Sequence, residues 1–235
     1  MKRRLILALL IFALAIGASV AGFHISRNDT NQEAYFGDFD APDRVEITVW
    51  ITHVDPTLQT VSMTLMNIHP YGKLAVDGNF AKDDTMTMNS IGDWRFQIDR
   101  GDSADDEKVQ TGITGWLTDY PFDSYDASIA LTLTDSDGSD VPTAITVLNT
   151  DSFYKIETVQ ADASDGGTLI NLTIRRSTST LVFGIFIMVL MLALAAASAV
   201  AAYYVLHFKR GLDLSACSLM AGMLFALIPL RNAVP

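Results

Sequence analysis

Three uncharged apolar runs limit what this chain can fold into. Leu5 to Phe23 follows directly on Lys2, Arg3 and Arg4, Leu181 to Leu206 stops just short of Lys209 and Arg210, and Leu214 to Leu230 comes last. A polar stretch of about 150 residues separates the first run from the second. A hydrocarbon core about 30 Å thick takes about 20 apolar helical residues to cross. The pattern predicts three crossings and one large domain held outside the bilayer. The expected plan is an N-terminal anchor at 1–25, a loose linker at 26–43, a folded domain at 44–176, a second crossing at 177–208, and a short turn with a third crossing at 209–235. Pro229 and Arg231 shorten that last run to 17 residues.

The first run also has features of a removable signal peptide: a basic start, an apolar stretch and the small residues Ser19-Val20-Ala21. Its 19 apolar residues exceed a usual signal core and favour a retained anchor. If every run spans, all five flanking basic residues fall on one side, which the positive-inside rule makes cytoplasmic. Arg27, Arg175, Arg176 and Arg231 oppose that bias without reversing it. The expectation is a multi-pass protein of the plasma (inner) membrane with a cytoplasmic N-terminus and a periplasmic or extracellular domain.

Charge is segregated. From His24 to Thr178 there are 26 acidic and 10 basic residues. Such a domain repels phosphates, which argues against nucleic-acid binding. The single cysteine, Cys217, lies in the third apolar run, so no disulfide staples the external domain.

That domain reads as all-β. Val45, Ile47, Val49 and Ile51 alternate with polar neighbours, as do Val61, Met63 and Leu65; Trp94, Phe96 and Ile98; and Ile129, Leu131 and Leu133. Ile145 and Val147, Tyr154 and Ile156, and Leu169 to Ile174 extend the set. With shorter runs near Leu74–Val76 and Val109–Leu117, eight or nine strands are expected. Asp77-Gly78-Asn79, Asp137-Gly138 and Asp165-Gly166-Gly167 supply turns. The predicted fold class is a membrane-anchored all-β protein with an immunoglobulin-like β-sandwich.

Tyr120-Pro121-Phe122-Asp123-Ser124-Tyr125 is the most distinctive local motif. It reads either as a partner-contacting loop, through Tyr120, Phe122, Asp123 and Tyr125, or as a rigid corner feeding the next strand. Asp135, Asp137 and Asp140 are spaced like hard-cation ligands and form a weak calcium candidate, without the distal glutamate of a full loop. Asp102, Asp105, Asp106 and Glu107 read as a solvated acidic loop. The four histidines form no zinc pattern, and no nucleophile elbow, phosphate loop, dinucleotide fingerprint or HExxH is present. Asn28 and Asn171 head glycosylation acceptor triplets. No cofactor and no catalytic residue is expected.

The second apolar run is rich in small residues. Ala193, Ala197 and Ala201, and Ala195 and Ala199, repeat at four-residue spacing, which lets helix backbones approach closely. They are candidates for docking onto an integral membrane partner, or for packing against the chain's own helices. No ionisable residue sits at the centre of any run, which argues against a lone transporter.

The Tyr120–Tyr125 motif, Trp94-Arg95-Phe96 and Ile228-Pro229-Leu230-Arg231-Asn232-Ala233 carry a resemblance over most of the chain. In these features the sequence resembles an uncharacterised family of actinobacterial and fungal membrane proteins with one external β domain and clustered C-terminal helices. The resemblance implies an accessory subunit of an MCE-type lipid import system of the mycobacterial envelope, beside permease helices, MCE subunits and a cytoplasmic ATPase. It implies no catalytic residues. The function expected is a non-enzymatic accessory or regulatory subunit in contact with membrane lipids. The alternative is an envelope receptor that binds a lipid or sugar in its β domain.

Overall fold

The computed structural model describes residues 33–162 and 167–207, together with positions 218, 221, 222, 225, 228 and 229. The expected anchor at 1–25, the start of the linker, the Asp165-Gly166 turn, Cys217 and most of the third apolar run lie outside the described residues. The chain divides into two compact units, one ending at Ser177 and one beginning at Thr178.

Among the described residues the first unit contains thirteen strands. They are β1 (Glu33–Gly37), β2 (Val45–Asp55), β3 (Thr60–Pro70), β4 (Ala75–Val76), β5 (Asn79–Phe80), β6 (Asp84–Ser90), β7 (Gly92–Ile98), β8 (Glu107–Gly112), β9 (Thr114–Gly115), β10 (Ser124–Asp135), β11 (Thr143–Asn149), β12 (Tyr154–Asp162) and β13 (Thr168–Arg176). One sheet runs β1-β11-β2-β3-β8, and the other runs β12-β13-β10-β6-β7 with β9 also paired to β10.

Alternation builds the core. Val45, Ile47, Val49 and Ile51 of β2 are essentially solvent-free, while Glu46, Thr48 and Trp50 between them are not. The other sheet contributes Ile129, Leu131 and Leu133 from β10 and Ile170, Leu172 and Ile174 from β13 to the same buried cluster. Each such side chain contributes roughly 1.5–3 kcal/mol on burial. The two inner faces share one core, as in a sandwich.

The strand order includes one crossover between the sheets and one parallel pair. Here β11 leaves β10, crosses to the first sheet and runs parallel to β2. The place beside β10 is taken by β13.

Three differences from the sequence expectation have local causes. The segment read as a loose linker contains β1, which pairs along its whole length with β11. Only its Phe36 is buried, too little to mark a strand by pattern. The strand β6 is absent from the expected set because its inward positions are Asp84, Met86 and Met88, and neither residue type favours strands. The run near Val109–Leu117 is two strands, β8 and β9, interrupted at Ile113.

The second unit begins with α1 (Thr178–His207). Its segment Thr178–Tyr204 spans 27 residues at a mean hydropathy of 2.7, long and apolar enough to cross a membrane. Among the described residues it is the one helix that meets this condition. Ser177 alone separates β13 from α1.

Candidate functional site

The Tyr120–Tyr125 segment is a corner held from inside. A short 3-10 turn at Leu117–Asp119 leads into a cis Tyr120–Pro121 bond. The chain then enters β10, placing Asp123 and Tyr125 inward and Phe122 and Ser124 outward. Arg176, the last residue of β13, donates its Nε–H to Asp123, with Oδ1 at 3.2 Å and Oδ2 at 3.1 Å. Both side chains are almost fully buried, at 5% and 0% exposure. The Tyr125 hydroxyl donates to Asp123 Oδ2 at 2.7 Å. The guanidinium also lies over the rings of Tyr120 and Tyr154, at 5.1 and 4.7 Å from their centroids. Burial, first of all, pushes the Tyr120, Tyr125 and Tyr154 phenols up from their ordinary range, so they stay neutral.

This geometry divides the four residues read as a partner-contacting set. Asp123 and Tyr125 are buried at 2% and 1% exposure and spend their polar atoms on Arg176 and on each other. They cannot form a contact surface. Tyr120 is half-buried, and Phe122 alone of the four is widely exposed.

The Asp135–Asp140 turn is organised by a lysine. Lys82 Nζ donates to Asp135 Oδ2 at 2.9 Å and Asp137 Oδ2 at 2.7 Å. The other Asp135 oxygen accepts the backbone N–H groups of Asp137 and Ser139. The lysine holds the Asp135 carboxyl below its usual range, and the backbone donors add to that shift. Asp140 belongs to an isolated bridge with Thr134. Among the described residues no group of three or more His, Cys, Asp or Glu is arranged to hold a metal. The calcium candidate is therefore a turn whose negative charge meets an ammonium group.

Beside this turn lies a group that the sequence pattern does not single out. Asp84 pairs with Asp135 across β6 and β10 and is only 3% exposed, with its Oδ1 lacking a hydrogen-bond partner among the described residues. Burial, reinforced by the Asp135 charge, pushes its carboxyl up to about 6. A carboxylate at an inward strand position is the only sequence sign of it.

The outer face of the first sheet carries a groove of about 720 Å³. Trp50, Thr64 and Lys108 stand in register across β2, β3 and β8. The Trp50 indole N–H donates to Thr150 Oγ1 at 2.7 Å, and Gln110 Nε2 donates to Ser62 Oγ at 3.1 Å. The β6–β7 turn closes the β8 side, where the Ile91 N–H donates to the Gln110 carbonyl at 2.9 Å. Trp94 lines the same groove and stacks on Phe96. Among the described residues no carboxylate lines it.

In α1 the five alanines read as one docking set occupy two faces. At 3.6 residues per turn, Ala193, Ala197 and Ala201 fall within about 80° of one another, and Ala195 and Ala199 fall on the opposite side. Ala193, Ala195, Ala197 and Ala199 are exposed and Ala201 is half-buried.

These features define a two-sheet β domain followed by an apolar helix. The chain belongs to the family defined by a domain of unknown function (DUF4436), whose model matches residues 35–175. Residues 176–235 match a second domain of unknown function (DUF8686). The boundary between the two matches falls at Arg176, next to the break between the compact units. No curated protein matches the chain.

Proposed function

We propose that this protein is a non-enzymatic accessory subunit of a membrane protein complex. By its sequence resemblance to the mycobacterial lipid uptake coordinator B, that complex is an MCE-type lipid importer. In this reading the chain is multi-pass, its N-terminus is cytoplasmic, and an immunoglobulin-like β domain stands on the periplasmic or extracellular side. The observation that carries the reading is α1, a helix able to cross a bilayer that exposes small residues on two faces. Close backbone approach at such residues is the main source of helix association in lipid. Two faces allow the helix to pack on a partner and on a neighbour at once. Purification of the tagged protein at native expression in mild detergent tests this. Recovery with a stoichiometric permease-type partner supports the proposal, and recovery alone defeats it.

The groove on the first sheet favours a second reading, a receptor for a lipid or sugar. Its volume lies in the range of small-molecule sites, and it combines two indoles with hydroxyl, amide and ammonium groups. Native mass spectrometry of the purified chain separates the readings: a retained stoichiometric small molecule points to the receptor.

A further inference from the structure

Four large apolar side chains stand exposed around the last residue of β13. Trp116 is 76% exposed, Phe122 68%, and Leu117 and Phe153 49% each. Strand register and hydrogen bonds bring them to one end of the six-stranded sheet. Gly115, just before Trp116, pairs with Tyr125, and the Leu117 carbonyl accepts the Tyr120 N–H. Phe122 is held by its own N–H donating to the Asp119 carbonyl at 2.8 Å. Phe153 accepts the Ser177 N–H through its carbonyl at 2.8 Å, and its neighbour Tyr154 pairs with Arg176. The Arg176–Asp123 pair ties these segments together from below. A tryptophan so exposed within an apolar group is unusual on a soluble surface and marks an interaction site.

We infer that this apolar end of the β domain rests in the headgroup layer of the bilayer that α1 crosses. This rests on the reading of α1 as a membrane span. Three facts select lipid over a protein partner. The patch borders Ser177, the single residue before an apolar span of 27 residues, so the chain holds this end of the sheet within a residue of the helix start. Its composition, an indole, two phenyl rings and a leucine, suits the interfacial belt, where aromatic rings sit at headgroup depth. Arg175, exposed on β13 beside Ser124, supplies a cation at the same end of a strongly acidic domain, placed to meet lipid phosphate. The corner motif thereby acquires a role: the buried Arg176 clamp presents Phe122 and the Trp116 turn outward.

The test uses the full chain in phosphatidylcholine vesicles. The sequence holds three tryptophans, so Trp50→Phe with Trp94→Phe leaves Trp116 as the sole indole. Lipid brominated just below the headgroup should quench its emission severalfold and leave a blue-shifted remainder. A parallel chain lacking all three indoles and carrying Phe186→Trp reports on α1. Quenching at Phe186→Trp but not at Trp116 overturns this inference and leaves the membrane span standing. Quenching at neither overturns both. If the double replacement does not fold, the native chain compared with Trp116→Phe alone gives the same reading: the quenched component must disappear with Trp116, and its persistence overturns the inference.

Discussion

Arg176 and Asp123 meet across 53 residues of sequence with both side chains buried, and the ends of β13 and β10 are joined through them. Tyr125 satisfies a further lone pair on the carboxylate, and two aromatic rings flank the guanidinium. The pair is thus supported on each side by partners that would be left unmatched if either member were lost.

Asp123→Ala should therefore lower unfolding stability by about 3–5 kcal/mol, the range for breaking a buried ion pair and stranding one charge. Replacing both members with apolar residues, Asp123→Leu with Arg176→Met, should cost less than Asp123→Ala. Tyr125→Phe should cost about 1.5–3 kcal/mol, as for one hydrogen bond to a charged acceptor. Chemical denaturation of the four proteins checks the order.

Asp84 predicts a pH dependence of a definite sign. Its folded-state carboxyl sits near 6, above the value of about 3.9 for an unfolded aspartate. Between those values the native state binds the extra proton, so stability falls as pH rises through the window. Asp135 and Asp83 oppose ionisation here, and Lys82 favours it. Asp84→Asn should remove that slope and be more stable than the parent at neutral pH by on the order of 3 kcal/mol. Melting temperatures of both proteins from acid to neutral pH decide it, read as the difference between them. Asp43 and Asp135, whose carboxyls are lowered, affect both proteins alike at more acidic pH.

Lys82 bridges Asp135 and Asp137 at a half-open surface. Lys82→Ala should cost little stability, and the loss should shrink as salt is added. Denaturation at low and high ionic strength measures both.

If α1 docks on a membrane partner as proposed, Ala197→Leu with Ala201→Leu reduces recovery of that partner while leaving membrane insertion unchanged. These two residues share a face and lie one turn apart. Ala195→Leu with Ala199→Leu tests the other face separately. Co-purification with tagged protein, beside alkaline extraction of membranes, reads the two properties independently.

Strands with a strict two-residue repeat, such as β2, β10 and β13, are legible in the amino-acid sequence, because inward residues of one type leave a periodic trace. The strand β6 is not, since Asp84 breaks the trace at one of its three inward positions. Alternation also reports which way side chains point and says nothing of which strand lies alongside, so the crossing of β11 to its parallel place beside β2 has no local signal. The motif at Tyr120–Tyr125 stands out in the sequence, but its partner Arg176 lies far along the chain. Without that partner, Asp123 and Tyr125 look like surface groups. The alanine repeats are visible, and helical arithmetic alone separates their faces.

The strand that leads into α1 is an interior strand of its sheet, hydrogen-bonded to β10 on one flank and to β12 on the other. A load applied along β13 would meet both ladders side by side and shear them together, whereas an edge strand would peel open one bond at a time. The β domain is thereby secured against unravelling from the residue at which its chain passes into α1.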